Sequence, residues 1–208
     1  MDNKLNFKEH IKSVHKKISR AIFTLNQMKN ILDQKHLKLL ANAYIRSHIE
    51  YCSNIFSACN QSTIKPLNLV LKRAVRLVSG KGRFEHTKPL FKNLDILPVP
   101  QLIEYNALIF MYSCHNKKAN TGAHNSWVRT RDRNNRDLRN AQDFDFPRAR
   151  LAMYENMPYL KFPKLWNELE QNIKDSTSIS IFKRALREKL FNEIPNWFQS
   201  FNISHDFI

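Results

Sequence analysis

The sequence predicts an all-α protein. An N-terminal three-helix bundle spans residues 1–82, and a second small helical unit spans 83–208 and carries a long arginine-rich loop at about 117–147. Three observations predict this. Glycine is scarce, with only Gly80, Gly82 and Gly122 in 208 residues, which leaves few positions for tight hairpin turns. Neither glycine nor proline occurs from Met1 to Lys65. Apolar residues recur at steps of three and four along most of the chain. At 42% hydrophobic and 11% aromatic, the chain can bury a core, which excludes wholesale disorder.

The first helix is predicted by Phe7, Ile11, Val14, Ile18, Ile22, Leu25 and Met28, one apolar stripe at helical spacing. Asn6 with Glu9 three residues on has the form of a capping box at its start. A second helix is expected from about Gln34 to Phe56, with Leu37, Leu40, Ala41, Tyr44, Ile45, His48 and Ile49 inward. A third comes after Ser62-Thr63, with Pro66 tolerated in its first turn and Leu67, Val70, Leu71, Ala74, Val75 and Val78 inward. Gly80-Lys81-Gly82 ends it. Short turns join the three helices into a bundle.

Thr87 to Leu94 reads as a short helix, and Pro98 and Pro100 interrupt the chain. From Pro100 or Gln101 to His115 a helix is apolar over a wide arc, which places it centrally in the core of the second half. Periodicity then disappears from Lys117 to Pro147, and loops of that length are usually functional or disordered. The last elements are a helix near Pro163–Ile173 and another from an N-capping Ser178 to about Ile194, with Phe182, Leu186 and Leu190 buried.

Formal net charge is +16, from 34 Lys+Arg against 18 Asp+Glu. Residues 1–80 hold 14 of those basic residues and 4 acidic ones, so the first third is the more polycationic part. Such an excess points to a polyanionic partner, nucleic acid before an anionic membrane. Charge that serves only solubility is the plain alternative. Three widely spaced cysteines, Cys52, Cys59 and Cys114, form no disulfide framework and suggest a reducing compartment. No apolar run approaches the ~18 residues of a membrane span, and the N-terminus lacks the apolar core of a signal peptide. The expected location is the nucleus or cytoplasm.

Catalytic chemistry finds little support. Cys52 and Cys59 lie seven apart and Cys114 adjoins His115, neither a zinc spacing, so no metal or other cofactor is expected. There is no GxSxG and no glycine-rich loop to cradle a phosphate, and no small-molecule substrate is expected. Asp143 and Asp145 are the nearest carboxylate pair, but they flank Phe144 in an arginine-rich stretch without strand pattern. They read as local partners for arginine rather than ligands for two-metal catalysis. No catalytic residue is assigned.

Binding chemistry remains. Lys8, Lys12, Lys16 and Arg20 recur every four residues opposite the apolar stripe of the first helix. Like charges at that spacing repel by a few tenths of a kcal/mol per pair, a cost that a phosphate backbone relieves. Lys72, Arg73 and Arg76 form the basic side of the third helix, and Arg129, Arg131, Arg133, Arg136 and Arg139 crowd the loop. A solvated helix face is the plainer account of the first row. Phe84 and Trp127 lie beside basic residues as candidate stacking groups, with packing as the default for each.

Phe162-Pro163-Lys164-Leu165-Trp166-Asn167-Glu168-Leu169, Ile173-Lys174-Asp175-Ser176 and Phe182-Lys183-Arg184-Ala185-Leu186 resemble the signature "GPKLWNxLPxxIKxxxSxxxFKxxLK". That signature closes the C-terminal region of reverse transcriptases from non-LTR retrotransposons of the jockey and CR1 type. Further blocks match in the same order. Asp2 to Ile11 resembles "DxxLxWxxHI", with Phe7 at the tryptophan. Ala43 to Cys52 resembles "LYxSLIxPHLxYC", and Leu71 to Val78 resembles "LQKKAIRxI". Lys88 to Leu97 resembles "xPLFxxLxIL", and Phe110-Met111-Tyr112 with Asn116 resembles "FMYKxxN". Phe162 departs from the signature's glycine and Glu170 from its proline.

The resemblance implies a thumb, a helical bundle against the primer–template duplex, and a C-terminal extension. It implies a piece without the palm's metal-binding aspartates or an endonuclease, Met1 falling where the palm would just have ended. By the same resemblance Lys8, Lys12, Lys16, Lys72, Arg73 and Arg76 would approach nucleic acid. The expected partner is RNA or an RNA–DNA hybrid, with duplex DNA and a reverse transcriptase palm in trans as further candidates. The rival expectation is a helical protein-interaction scaffold with incidental charge. The Phe162–Leu169 segment itself reads as core packing through Leu165, Trp166 and Leu169.

Overall fold

The computed structural model of the chain describes residues 7–116, 127–133, 142–145, 150 and 152–194. The fold is all-α. The elements are α1 (Lys8–Met28), α2 (Gln34–Ala41), a π turn (Asn42–Arg46), α3 (Ser47–Glu50), α4 (Ser53–Phe56), α5 (Gln61–Val78), α6 (Thr87–Asn93) and α7 (Val99–His115). They continue with α8 (Thr130–Arg133), α9 (Ala152–Glu155), α10 (Pro158–Asn167), α11 (Gln171–Lys174) and α12 (Ile179–Asn192). Among the described residues no strand forms; one antiparallel bridge pairs Arg129 with Phe144.

Two compact units result. Their described residues are 7–51, 61–102 and 189–194 in the first, and 52–60, 103–116, 127–133, 142–145, 150 and 152–188 in the second. The division falls inside α7 and α12 rather than after residue 82. Residues 83–102 join the first unit because α6 packs on α5.

In the first unit, Ile11, Val14, Ile18, Ile22 and Leu25 of the expected stripe of α1 are buried, whereas Met28 at its end is exposed. The start of the helix differs from the capping-box expectation. Its N-cap is Phe7, left-handed at φ 54 and with no side-chain cap, and Asn6 lies outside the described residues. A phenylalanine offsets the cost of that backbone state by burying its ring, here 8% exposed. Asp33 caps α2, its Oδ1 accepting from the His36 backbone N–H at 2.9 Å.

The helix expected from Gln34 to Phe56 is broken twice. The π turn admits one extra residue and rotates the next turn of the chain, so Tyr44 faces solvent at 57% exposure while Ile45 and Ile49 are buried. Arg46 then pairs with Glu50 one turn on, at 2.8 Å. Tyr51 is not helical, and Cys52 is left-handed at φ 57. Pro66 is the sixth residue of α5, not a first-turn residue. It cannot bond the Ser62 carbonyl, but both residues are exposed and water can satisfy that group. Gly80 at φ 63 closes α5 in a Schellman turn, with Lys81 N–H on the Arg76 carbonyl and Gly80 N–H on that of Leu77.

In the second unit the core gathers Leu108, Met111, Tyr112, Phe162, Trp166, Phe182 and Leu186, all at most 2% exposed. Tyr112 and Phe182 stack at 4.3 Å, and the Tyr112 hydroxyl donates to the Ser176 carbonyl at 2.7 Å. Ser178 caps α12 as expected, accepting from Ile181 N–H at 3.3 Å. Pro163 lies inside α10, which starts five residues earlier than the sequence suggested. A proline there cannot bond the carbonyl four residues back. That carbonyl, of Tyr159, instead accepts the Trp127 indole N–H at 3.0 Å.

Asn167 performs a second fastening. Its Oδ1 accepts from Phe144 N–H at 3.0 Å and its Nδ2 donates to the Phe144 carbonyl at 2.9 Å. Residues 127–133 and 142–145 of the expected aperiodic loop are therefore secured by α10. The Phe162–Leu169 motif buries Trp166 and Leu169 as expected, leaves Leu165 half-buried, and also clamps this segment through Pro163 and Asn167.

Candidate nucleic-acid interface

The basic residues of the first unit are positioned by the pair α1 and α5. Lys8, Lys12 and His15 of α1 meet Ser62, Thr63 and Pro66 of α5 around a groove of about 420 Å³. At the other end, Asn26 and Lys29, at the close of α1, meet Arg73, Arg76 and Val78 around a cleft of about 730 Å³. Starts face starts and ends face ends, so α1 and α5 run parallel. Among the described residues, neither groove nor cleft has a carboxylate in its lining.

Lys8, Lys12, Lys16 and Arg20 are all exposed, as the sequence predicts. They do not form a straight row. Four residues advance a helix by about 400°, so the row turns about 40° at each step and about 120° from Lys8 to Arg20. Lys8 and Lys12 line the groove against α5, while Lys16 and Arg20 extend around α1. The positive end of the α5 dipole opens on the same groove and adds to its attraction for anions.

On α5 the three predicted cations separate. Arg73 is exposed and Arg76 half-buried, and both line the larger cleft. Lys72 is only 7% exposed, so it does not belong to the basic surface on which the sequence placed it. Position 72 falls between the inward Leu71 and the outward Arg73 on α5, so its long stem can be covered by neighbours. Burial lowers the Lys72 pKa, and the nearby Arg76 charge lowers it further. Burial also lowers that of Arg76. An anion in the cleft, which Arg76 lines, would offset the effect on Arg76.

The cleft contains cations that helical spacing alone does not single out. Lys29, Lys81 and Arg83 join Arg73 and Arg76 in its lining. For Lys81 and Arg83 the signal in the sequence is the Gly80-Lys81-Gly82-Arg83 run after α5, which reads as a helix stop and also carries two charges. Asp33 is near in sequence, but it caps α2 through its bond to His36.

The loop arginines differ again. Arg129 is held in the second unit: Nη1 donates to Gln142 Oε1 at 2.7 Å and Nη2 contacts His115 Nδ1 at 2.8 Å. Its guanidinium also lies 5.8 Å from the Phe144 ring centroid. A guanidinium only donates, so Nδ1 of His115 is the acceptor. Burial, then the Arg129 charge, lower the His115 pKa, against a weaker upward pull from Asp175. Arg129 thus has a packing duty. Arg131 and Arg133 fall in α8. Arg136 and Arg139 lie outside the described residues.

Trp127 is buried at 8% and packs edge-on against Phe110, whereas Phe84 is 89% exposed. Asp143 exerts its charge on Lys174. Among the described residues, no three His, Cys, Asp or Glu side chains gather where a metal ion could be held. Among them, too, no helix is long and apolar enough to cross a membrane. No protein-family model, curated protein or solved structure matches the chain.

Proposed function

We propose that this chain is a non-enzymatic nucleic-acid-binding module that grips the backbone of RNA or an RNA–DNA duplex. The observation that carries this reading is the parallel α1–α5 pair, with a cationic groove at one end, a cationic cleft at the other, and no carboxylate among the described residues that line them. α1 is 21 residues long, so the pair spans about 30 Å, the axial length of about nine phosphates of one strand. Contacts of this kind read shape and charge, with little base readout. The resemblance to the thumb of non-LTR reverse transcriptases supports the same reading and motivates the choice of hybrid as ligand.

The test is a binding titration with duplex RNA, RNA–DNA hybrid and duplex DNA across a series of salt concentrations. Log affinity should fall linearly with log salt for each, and the A-form ligands should bind best. Binding indifferent to salt would sink the proposal. Charge reversal of Lys8, Lys12, Lys16 and Arg20 together should abolish binding. A protein partner captured equally well by that variant would favour the scaffold reading instead.

A further inference from the structure

The cleft at the end of α5 differs in kind from the groove at its start. Five cations line it, Lys29, Arg73, Arg76, Lys81 and Arg83. One ordinary reason for cations here is the negative end of the α5 dipole. That end is worth about half an elementary charge, so it balances one cation at most. Its last carbonyls are also already bonded in the Schellman turn, by Gly80 N–H and Lys81 N–H. The remaining positive charge meets no carboxylate among the described residues of the lining.

An exposed aromatic side chain lies next in sequence to the cleft lining. Phe84 comes after Arg83, a lining residue, and precedes Glu85, whose carbonyl accepts from Nε of Arg76, another lining residue, at 2.9 Å. Glu85 N–H in turn bonds the Gly82 carbonyl at 3.2 Å. The turn is thus tied down around Phe84 and fastened to α5 through Arg76, yet Phe84 is 89% exposed. A ring held outward on an anchored turn beside a cationic cleft combines the two parts that single-stranded nucleic acid requires: charge for the phosphate and a face for the base.

We infer that this cleft and Phe84 bind a single-stranded segment of nucleic acid, with phosphates in the cleft and one unpaired base stacked on Phe84. Resting on the nucleic-acid reading above, the inference adds a strand-specific subsite to the duplex-binding face. A duplex keeps its bases stacked on one another and offers none to Phe84. The cleft arginines and lysines would hold the strand where it leaves the paired region.

The experiment compares the full chain with Phe84→Leu, Phe84→Trp and Lys81→Glu. The probes are a labelled oligothymidylate of about 12 nucleotides and an RNA–DNA hybrid duplex of about 20 base pairs, read by fluorescence anisotropy. Phe84→Leu should weaken single-strand binding about tenfold and leave duplex binding unchanged, while Phe84→Trp should retain single-strand binding. Lys81→Glu should weaken single-strand binding as well. Equal single-strand affinity for Phe84→Leu and the parent would overturn the inference, as would a parallel loss on the duplex. A parent that binds duplex but not oligothymidylate overturns this inference alone. A parent that binds neither overturns the nucleic-acid reading with it.

Discussion

Replacing Lys8 and Lys12 with alanine tests the α1–α5 face most directly. Both residues line the groove at the start of α5. Five of the exposed cations are assigned to the duplex: Lys8, Lys12, Lys16 and Arg20 of α1 and Arg73 of α5. If each meets one duplex phosphate, log affinity should fall against log salt with a slope of about −4.5. Between about 50 and 200 mM salt, that slope is an affinity loss of about 500-fold. Without Lys8 and Lys12 the slope should drop to about −2.7, and the loss over the same interval to about 40-fold. The assay is anisotropy of a labelled hybrid across a salt series, with thermal melts of both proteins. Exposed lysines lost from a helix face should change stability by no more than about 0.5 kcal/mol. A double variant with the parent's slope would refute the placement of phosphates along this face.

Three further predictions concern the second unit. Phe182→Ala removes a fully buried ring stacked on Tyr112 and should cost about 3–5 kcal/mol, read as a lowered denaturation midpoint. Arg129→Ala breaks the contacts to Gln142 and His115 and should cost about 1–3 kcal/mol in the same measurement, while leaving the salt slope for duplex binding unchanged. His115 should make stability pH-dependent: its folded pKa lies below the ordinary histidine value of 6.5, so the unfolded chain takes up the proton first. The contribution is therefore complete above about pH 6.5 and lost as pH falls through the folded value, and His115→Gln should flatten that part of the stability–pH curve.

Helix identity was legible wherever one face is apolar at helical spacing. Ile11 to Leu25 of α1, Leu67 to Val78 of α5, and Phe182, Leu186 and Leu190 of α12 are buried as their pattern requires. The pattern does not record a single-residue insertion. The π turn at Asn42–Arg46 leaves the apolar sequence intact and only decides that Ile45, not Tyr44, turns inward. Pattern also misjudged prolines, because a helix tolerates Pro163 when another group takes the freed carbonyl. That group, the Trp127 indole, lies 36 positions earlier in a stretch with no periodicity. The candidate interface was half legible. The α1 cations are set by spacing, but Lys29 joins Arg73, Lys81 and Arg83 only through the parallel packing of α1 and α5.

The same sorting limits what a net charge of +16 means for binding. Many cations already answer to protein groups. Arg46 pairs with Glu50 and Lys189 with Glu193. Lys161 donates to the Ser57 carbonyl and Lys174 to that of Asn167. Arg129 bonds Gln142, and Arg187 lies 5.5 Å from the Tyr105 ring centroid. Lys72 is buried. Each of these would have to abandon a contact to reach a phosphate, and the gain would shrink by the cost of that contact. If phosphate contacts simply tracked net charge, the duplex salt slope would approach about −14. Contacts from Lys8, Lys12, Lys16, Arg20 and Arg73 alone instead set a value of about −4.5. A measured slope near the larger figure would mean that binding recruits charge from across the chain, and the α1–α5 face would lose its claim to be the site.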